Sequence, residues 1–192
     1  MNIADKELII QLQAGSLEAL GQIYDLYQRM VYRTALAITG DAEAAADLLQ
    51  DVFLRLFRFA DHIDVERPLE PWLYRMTTNL AYTWVKQSRR WLQPLEDLID
   101  RLPGFDRPSL QEVVEHEDEW ERVQRAVSGL PLAQRVVVVL YYLNDLSLVE
   151  ISEILDVPVG TVKSRLHYGR LALKKRLGLK QDGVLDLNYD RY

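Results

Sequence analysis

Apolar positions recur three and four residues apart along most of this chain, the spacing of one face of an α-helix rather than the alternation of a strand. The pattern is plainest over residues 41–59, where Ala45, Leu48, Leu49, Val52, Phe53 and Leu56 form one wide stripe that should face a core. Asp41 has the side chain to cap that helix, and Ser16 to cap an earlier one that reaches Thr39 and stops at Gly40. Pro68 and Pro71 punctuate a loop, after which Leu73, Met76, Leu80 and Trp84 predict the buried stripe of a third helix over residues 72–90. Further on, a charged helix that starts near residue 115 ends at Ser128 and Gly129, and Pro131 suits the first turn of another that reaches about Tyr142. Val136, Val137, Val138 and Val139 have strong strand propensity; periodicity alone does not decide between strand and buried helix there, and we assign helix. Helices over residues 147–155 and 161–177 complete the series, the last stopping at Gly178. The expected fold class is all-α.

Charge divides the chain. Residues 92–121 hold ten acids against two cations, and Pro94, Pro103, Gly104 and Pro108 break regular structure, so residues 92–114 read as an acidic linker. It joins two small helical domains, residues 1–91 and 115–178, and a tail at 179–192 without clear pattern is a candidate for disorder. Residues 160–180, by contrast, hold seven cations and no acid, and Lys86, Arg89 and Arg90 close the first domain. A net charge of −6 therefore does not argue against nucleic acid, because binding depends on where the charge sits.

In the second domain Ile151, Ile154 and Leu155 share one side of a helix, a Val-Pro-Val-Gly connection follows, and a basic helix comes next, which is the spacing of a helix-turn-helix. Val162, Leu166, Gly169 and Leu173 recur at steps of four, three and four and should face the core. The opposite face then carries Ser164, His167, Tyr168 and Leu171, flanked by Lys163, Arg165 and Arg170. We assign base-edge readout to Lys163, Ser164, His167 and Tyr168, and phosphate contacts to Arg165 and Arg170.

Two faces of the first domain also carry chemistry. Opposite the apolar stripe of residues 41–59 lie Asp47, Gln50, Asp51, Leu54 and Arg58, and an exposed leucine among acids and an amide is the composition of a small docking surface. On the third helix Arg75, Asn79, Tyr82 and Lys86 share a face that can stack an unpaired base on Tyr82 and hydrogen-bond one through Asn79. Arg75, Lys86, Arg89 and Arg90 would neutralise phosphates there.

Other function classes lose ground on composition. The chain has no cysteine, which removes disulfides and thiolate chemistry and fits a reducing cytoplasm. His62, His116 and His167 are scattered, so neither a metal site nor a cofactor is expected, and no cluster of general acids and bases points to an enzyme. No apolar run is long enough to insert in a membrane, and the first residues do not read as an export signal.

Leu130, Pro131 and Arg135, then Leu146, Ser147, Glu150, Ile151 and Leu155, and above all residues 157–165 (VPVGTVKSR), resemble the promoter-binding C-terminal domain of bacterial sigma factors. Residues 47–57 (DLLQDVFLRLF) are similar to the sigma segment that grips the clamp helices of the largest RNA polymerase subunit, and residues 72–81 (WLYRMTTNLA) to the helix that reads the −10 element. With both domains in this order, the chain resembles the compact extracytoplasmic-function (ECF) type. The resemblance implies a non-enzymatic subunit that binds core polymerase through Asp47, Gln50, Asp51 and Leu54 and touches its flap through the second domain. It further implies −35 duplex reading by the basic helix, capture of a flipped −10 base in the loop over residues 60–69, and an anti-sigma partner. The family's linkers thread the polymerase RNA path, although on charge alone a solvated spacer fits as well. Ser152 stands where the family usually has alanine, Asp156 where it has glycine, and Thr83 and Lys86 where it has an acid and an arginine. A dimeric regulator that binds duplex operators without polymerase is the alternative, and predicts symmetric half-sites.

Overall fold

The computed structural model describes residues 3–99 and 119–178. The described residues form eight α-helices and one short 3-10 turn: α1 (Ile3–Gln13), α2 (Leu17–Thr39), α3 (Ala42–Arg58), the turn Ala60–His62, α4 (Leu69–Ile99), α5 (Glu119–Ser128), α6 (Leu132–Tyr142), α7 (Leu148–Leu155) and α8 (Val159–Leu177). No strand occurs among them, so the all-α expectation holds and the valine run is helical.

The helix ends follow their caps. Ser16 accepts a hydrogen bond from the Ala19 amide at 3.2 Å, and Asp41 from the Ala44 amide at 2.9 Å, each satisfying one of the orphan donors of a first helical turn. Gly40 ends α2 in the left-handed conformation, φ 73°, with its amide donating to Leu36.

The core has two parts. One gathers Leu8, Ile9 and Leu12 of α1 with Ile23, Val31, Val52, Phe53, Leu56, Leu69 and Leu73. The sequence pattern does not single out α1, whose hold on the body includes a buried hydrogen bond from the Tyr27 hydroxyl to Asp5, 2.8 Å. The other part crosses between the halves of the chain: Ala35, Ile38, Ala45, Leu48, Tyr74, Ala81 and Val85 share a cluster with the whole valine run, Leu140, Ile151, Val162 and Leu166.

This crossing corrects the expected stripe of α4. Of Leu73, Met76, Leu80 and Trp84, only Leu73 is fully buried; the covered line is Leu69, Leu73, Thr77, Ala81 and Val85, together with Tyr74 and Thr78. The cause is that α4 is packed from two sides, by α2 and α3 on one and by α6 and α7 on the other. Threonine is tolerated inside because its hydroxyl bonds back along the helix, Thr77 to the Leu73 carbonyl at 2.7 Å and Thr78 to that of Tyr74 at 2.8 Å. The same helix runs nine residues past its expected end at Arg90. Leu92, Gln93, Leu95 and Glu96 are good helix formers with no glycine among them, and Pro94 removes one hydrogen bond without ending the helix.

Candidate nucleic-acid interface

The helix-turn-helix is built locally. Ser147 caps α7 in a reciprocal box, its own amide donating to the Glu150 carboxylate at 2.8 Å while the Glu150 amide donates to its hydroxyl at 3.3 Å. Asp156 closes α7 in the left-handed region, φ 52° and ψ 51°, a conformation that aspartate adopts more readily than most residues. The Ser152 hydroxyl donates to the Val157 carbonyl at 2.7 Å, and the Val157 amide returns a bond to the Ser152 carbonyl at 3.2 Å. The two departures from the family pattern at the turn are thus both used to make it.

Helix α8 then turns its expected stripe inward: Val162, Leu166, Gly169 and Leu173 are all buried. The approach to α6 is close enough that a Cβ on Gly169 would sit 2.7 Å from Val138 Cγ2. The opposite arc is open to solvent, with Ser164, His167, Tyr168 and Leu171 exposed and the His167 ring edge-on to Tyr168 at 5.4 Å. Lys163, Arg165 and Arg170 are half-buried at its flanks.

On α4, Arg75, Asn79 and Lys86 are exposed and Tyr82 is half-buried. Lys86 Nζ lies 4.7 Å from the centre of the Tyr82 ring, over the surface a base would stack on. Arg75 faces Asp156 of the helix-turn-helix at 3.7 Å. Asn79, Tyr82 and Arg165 line one cleft of about 190 Å³, so one expected −35 residue and two expected −10 residues meet in the same space. The side chains of Arg89 and Arg90 lie outside the described residues.

The loop after α3, expected to hold a flipped base, borders an open space. A cavity of about 540 Å³ is bounded by Ile63, Arg67, Trp72 and Arg75 and closed by Glu153 and Ile154 of α7. Two prolines hemming a loop that holds an arginine and ends at a tryptophan were the signal available for it. On α3, Asp47, Gln50 and Leu54 are exposed, Leu54 to 66%, while Asp51 is half-buried and paired with Arg55 at 3.2 Å. Phe57, one turn beyond Leu54 and 38% exposed, adds an aromatic that the pattern had not marked.

Residues 23–91 match Sigma-70 region 2 and residues 120–173 match Sigma-70 region 4. The ECF RNA polymerase sigma factor SigW of Bacillus subtilis is 32% identical over 188 residues, spanning 92% of this chain and 98% of that one. The chain belongs to the ECF sigma factors. As a sigma factor it serves in transcription initiation. Two solved structures share its all-helical fold. CnrH in complex with the cytosolic domain of CnrY has TM-score 0.65 at 23% identity, over 91% of this chain and 97% of that one. The sigma factor RpoE in complex with the anti-sigma factor NepR from Bartonella quintana has TM-score 0.65 at 19% identity, over 86% of this chain and all of that one. In this sigma factor the region 2 match contains both the α3 face and the α4 face, and the region 4 match contains the helix-turn-helix. Among the described residues no helix is long and apolar enough to cross a membrane, and no group of side chains could hold a metal ion.

Proposed function

We propose that this sigma factor binds core RNA polymerase through Asp47, Gln50, Asp51 and Leu54 of α3 and reads promoters with two surfaces. In this reading α8 lies in the major groove of the −35 duplex, with Lys163, Ser164, His167 and Tyr168 toward base edges and Arg165 and Arg170 toward phosphates. The observation that carries it is the geometry of α8, whose buried stripe leaves Ser164, His167 and Tyr168 on an open arc behind a capped helix-turn-helix.

Arg75, Asn79, Tyr82 and Lys86 of α4, with Arg89 and Arg90, would hold the nontemplate strand of the melted −10 element. The cavity beside Trp72 and Arg67 offers a place for a flipped base, whose extrusion costs a few kcal/mol that stacking and hydrogen bonding there must offset. Thr83 and Lys86, in place of an acid and an arginine, leave a more purely cationic and hydroxyl-bearing face than the family usually presents. The acidic linker would avoid DNA and follow a positively charged channel of the polymerase. An anti-sigma partner is part of this reading, supported by one solved structure of the same fold captured in complex with an anti-sigma factor.

Run-off transcription from a genomic fragment library tests the proposal, with core polymerase in the presence and absence of the protein and with Asp51→Arg as control. New polymerase-dependent start sites that vanish with the control are expected. Specific duplex binding by the protein alone, without new starts, would favour the conventional regulator.

A further inference from the structure

We propose that α1 belongs to the −10 reading surface: it clips the loop between α3 and α4 into the shape that receives a flipped base, with Gln13 and Lys6 as positioning residues. The inference rests on the assignment of that loop to the melted strand. Helix α1 ends at Gln13, and the match to Sigma-70 region 2 begins only at residue 23, so the clip comes from outside the segment that carries the reading face.

Three kinds of contact join α1 to the loop. Leu8, Ile9 and Leu12 share a core cluster with Ala60 and Ile63, both buried. The side-chain amide of Gln13 donates to the Ala60 carbonyl at 3.1 Å and to the Ile63 carbonyl at 3.0 Å, which uses both of its N–H groups. Lys6 pairs with Glu66 further along the loop. Lys6 and Gln13 stand seven residues apart, about two helical turns, and therefore act from one side of α1. The helix has a fixed base for this, because the Tyr27 hydroxyl of α2 holds its Asp5.

The loop's own hydrogen bonds shape it without placing it. The Ile63 amide donates to the Ala60 carbonyl at 3.0 Å, and Asp64 accepts from the Glu66 amide at 3.0 Å and from the Arg67 amide at 3.1 Å. Such short-range bonds set the curvature of a loop but not where it sits against α4. The polar contacts from α1 do that, reaching across 47, 50 and 60 residues of sequence. With the carbonyls of Ala60 and Ile63 held from behind, His62, Asp64 and Arg67 line the cavity of about 540 Å³, and Trp72 and Arg75 of α4 line it too. The separation of these two walls decides how well a planar base fits. A loop fixed before the base arrives also spares the ordering that binding would otherwise have to supply.

The test uses holoenzyme reconstituted with core polymerase and single-stranded oligonucleotides of the nontemplate −10 sequence from a promoter found in the run-off library. Each oligonucleotide is either intact or abasic at one position, and with wild-type protein the position where base removal costs most affinity marks the captured base. Gln13→Glu keeps the length of the side chain but has no N–H to give. It should lower the ratio of intact to abasic affinity at that position about fivefold to tenfold. This ratio does not depend on how much of the protein is folded, so mere destabilisation leaves it unchanged. Lys6→Glu should lower it about twofold, and adding Glu66→Lys should restore it. Amide hydrogen exchange on the free proteins reads the clip directly: in Gln13→Glu the Ile63, Glu66 and Arg67 amides should exchange faster while those of α8 do not change. An unchanged ratio, or unchanged exchange at all three amides, overturns the proposal alone. If wild-type holoenzyme shows no position where the base matters, the assignment of the loop to a flipped base falls and the proposal falls with it.

Discussion

Arg135 donates to the carbonyl of Ile38 at 2.6 Å across 97 residues of sequence, which ties the end of α2 to the second half of the chain. Replacing it by leucine keeps much of the volume but strands the carbonyls of Ile38, Leu130 and Ser128 away from water. The expected loss is about 3 kcal/mol, and lysine should not recover it, because one ammonium cannot spread over the ends of two helices as a planar fork does. Urea denaturation of the three proteins checks this.

Gly169 sets the spacing between α6 and α8. Gly169→Ala should cost about 1 to 3 kcal/mol, since its methyl would meet Val138 Cγ2 at 2.7 Å. Adding Val138→Ala makes room, so the double variant should be more stable than the sum of the single losses allows, a coupling that a thermal-denaturation cycle reads directly.

Ser147→Ala removes the hydroxyl that caps α7 and leaves the Glu150 amide without its acceptor. A loss of about 1 kcal/mol is expected. Weaker promoter binding should accompany it, since α7 supports the turn that aims α8; Tm and gel-shift affinity on one protein preparation would show both.

Leu54 is 66% exposed, so Leu54→Asp should leave Tm within a degree or two of wild type. The same variant should lose most of its affinity for core polymerase if α3 docks there, as measured by co-purification or fluorescence anisotropy. A stable protein that still binds polymerase would remove Leu54 from the interface.

Two buried tyrosines make stability sensitive to alkali. Burial pushes the Tyr74 phenol up to about 12, with Glu70 and Glu150 adding to the effect; burial and the bond to Asp5 raise that of Tyr27 further still. The folded protein then keeps protons that the unfolded chain gives up near pH 10, so this stabilisation is complete below pH 10 and is lost as pH rises toward 12. Melting temperatures should fall over that range, and fall less steeply in Tyr27→Phe than in wild type, whatever the variant's starting stability.

What the sequence made legible was local. Asp41 and Ser16 announce their helices because capping acts within three residues, and the four-three-four step from Val162 to Leu173 tells which side of α8 is open for the same reason. The left-handed Asp156 could likewise be anticipated from one residue's backbone preference. The second covered side of α4 was not visible, because what covers it comes from α6 and α7, more than fifty residues later. Thr77 and Thr78 look like surface residues until that partner is known. Arg135 was legible as part of a motif, but its bond to Ile38 has no trace in either residue's neighbourhood.

Six consecutive residues of α6, Arg135 to Leu140, are buried, and four of them are valines, which favour strands when left to themselves. Such a segment is helical because its surroundings hold it so, and part of those surroundings is α2. During synthesis α2 leaves the ribosome about ninety residues ahead of α6, roughly 5 to 20 seconds at ordinary elongation rates. The α2 surface against which the valines pack has therefore already been synthesised when this strand-prone segment emerges.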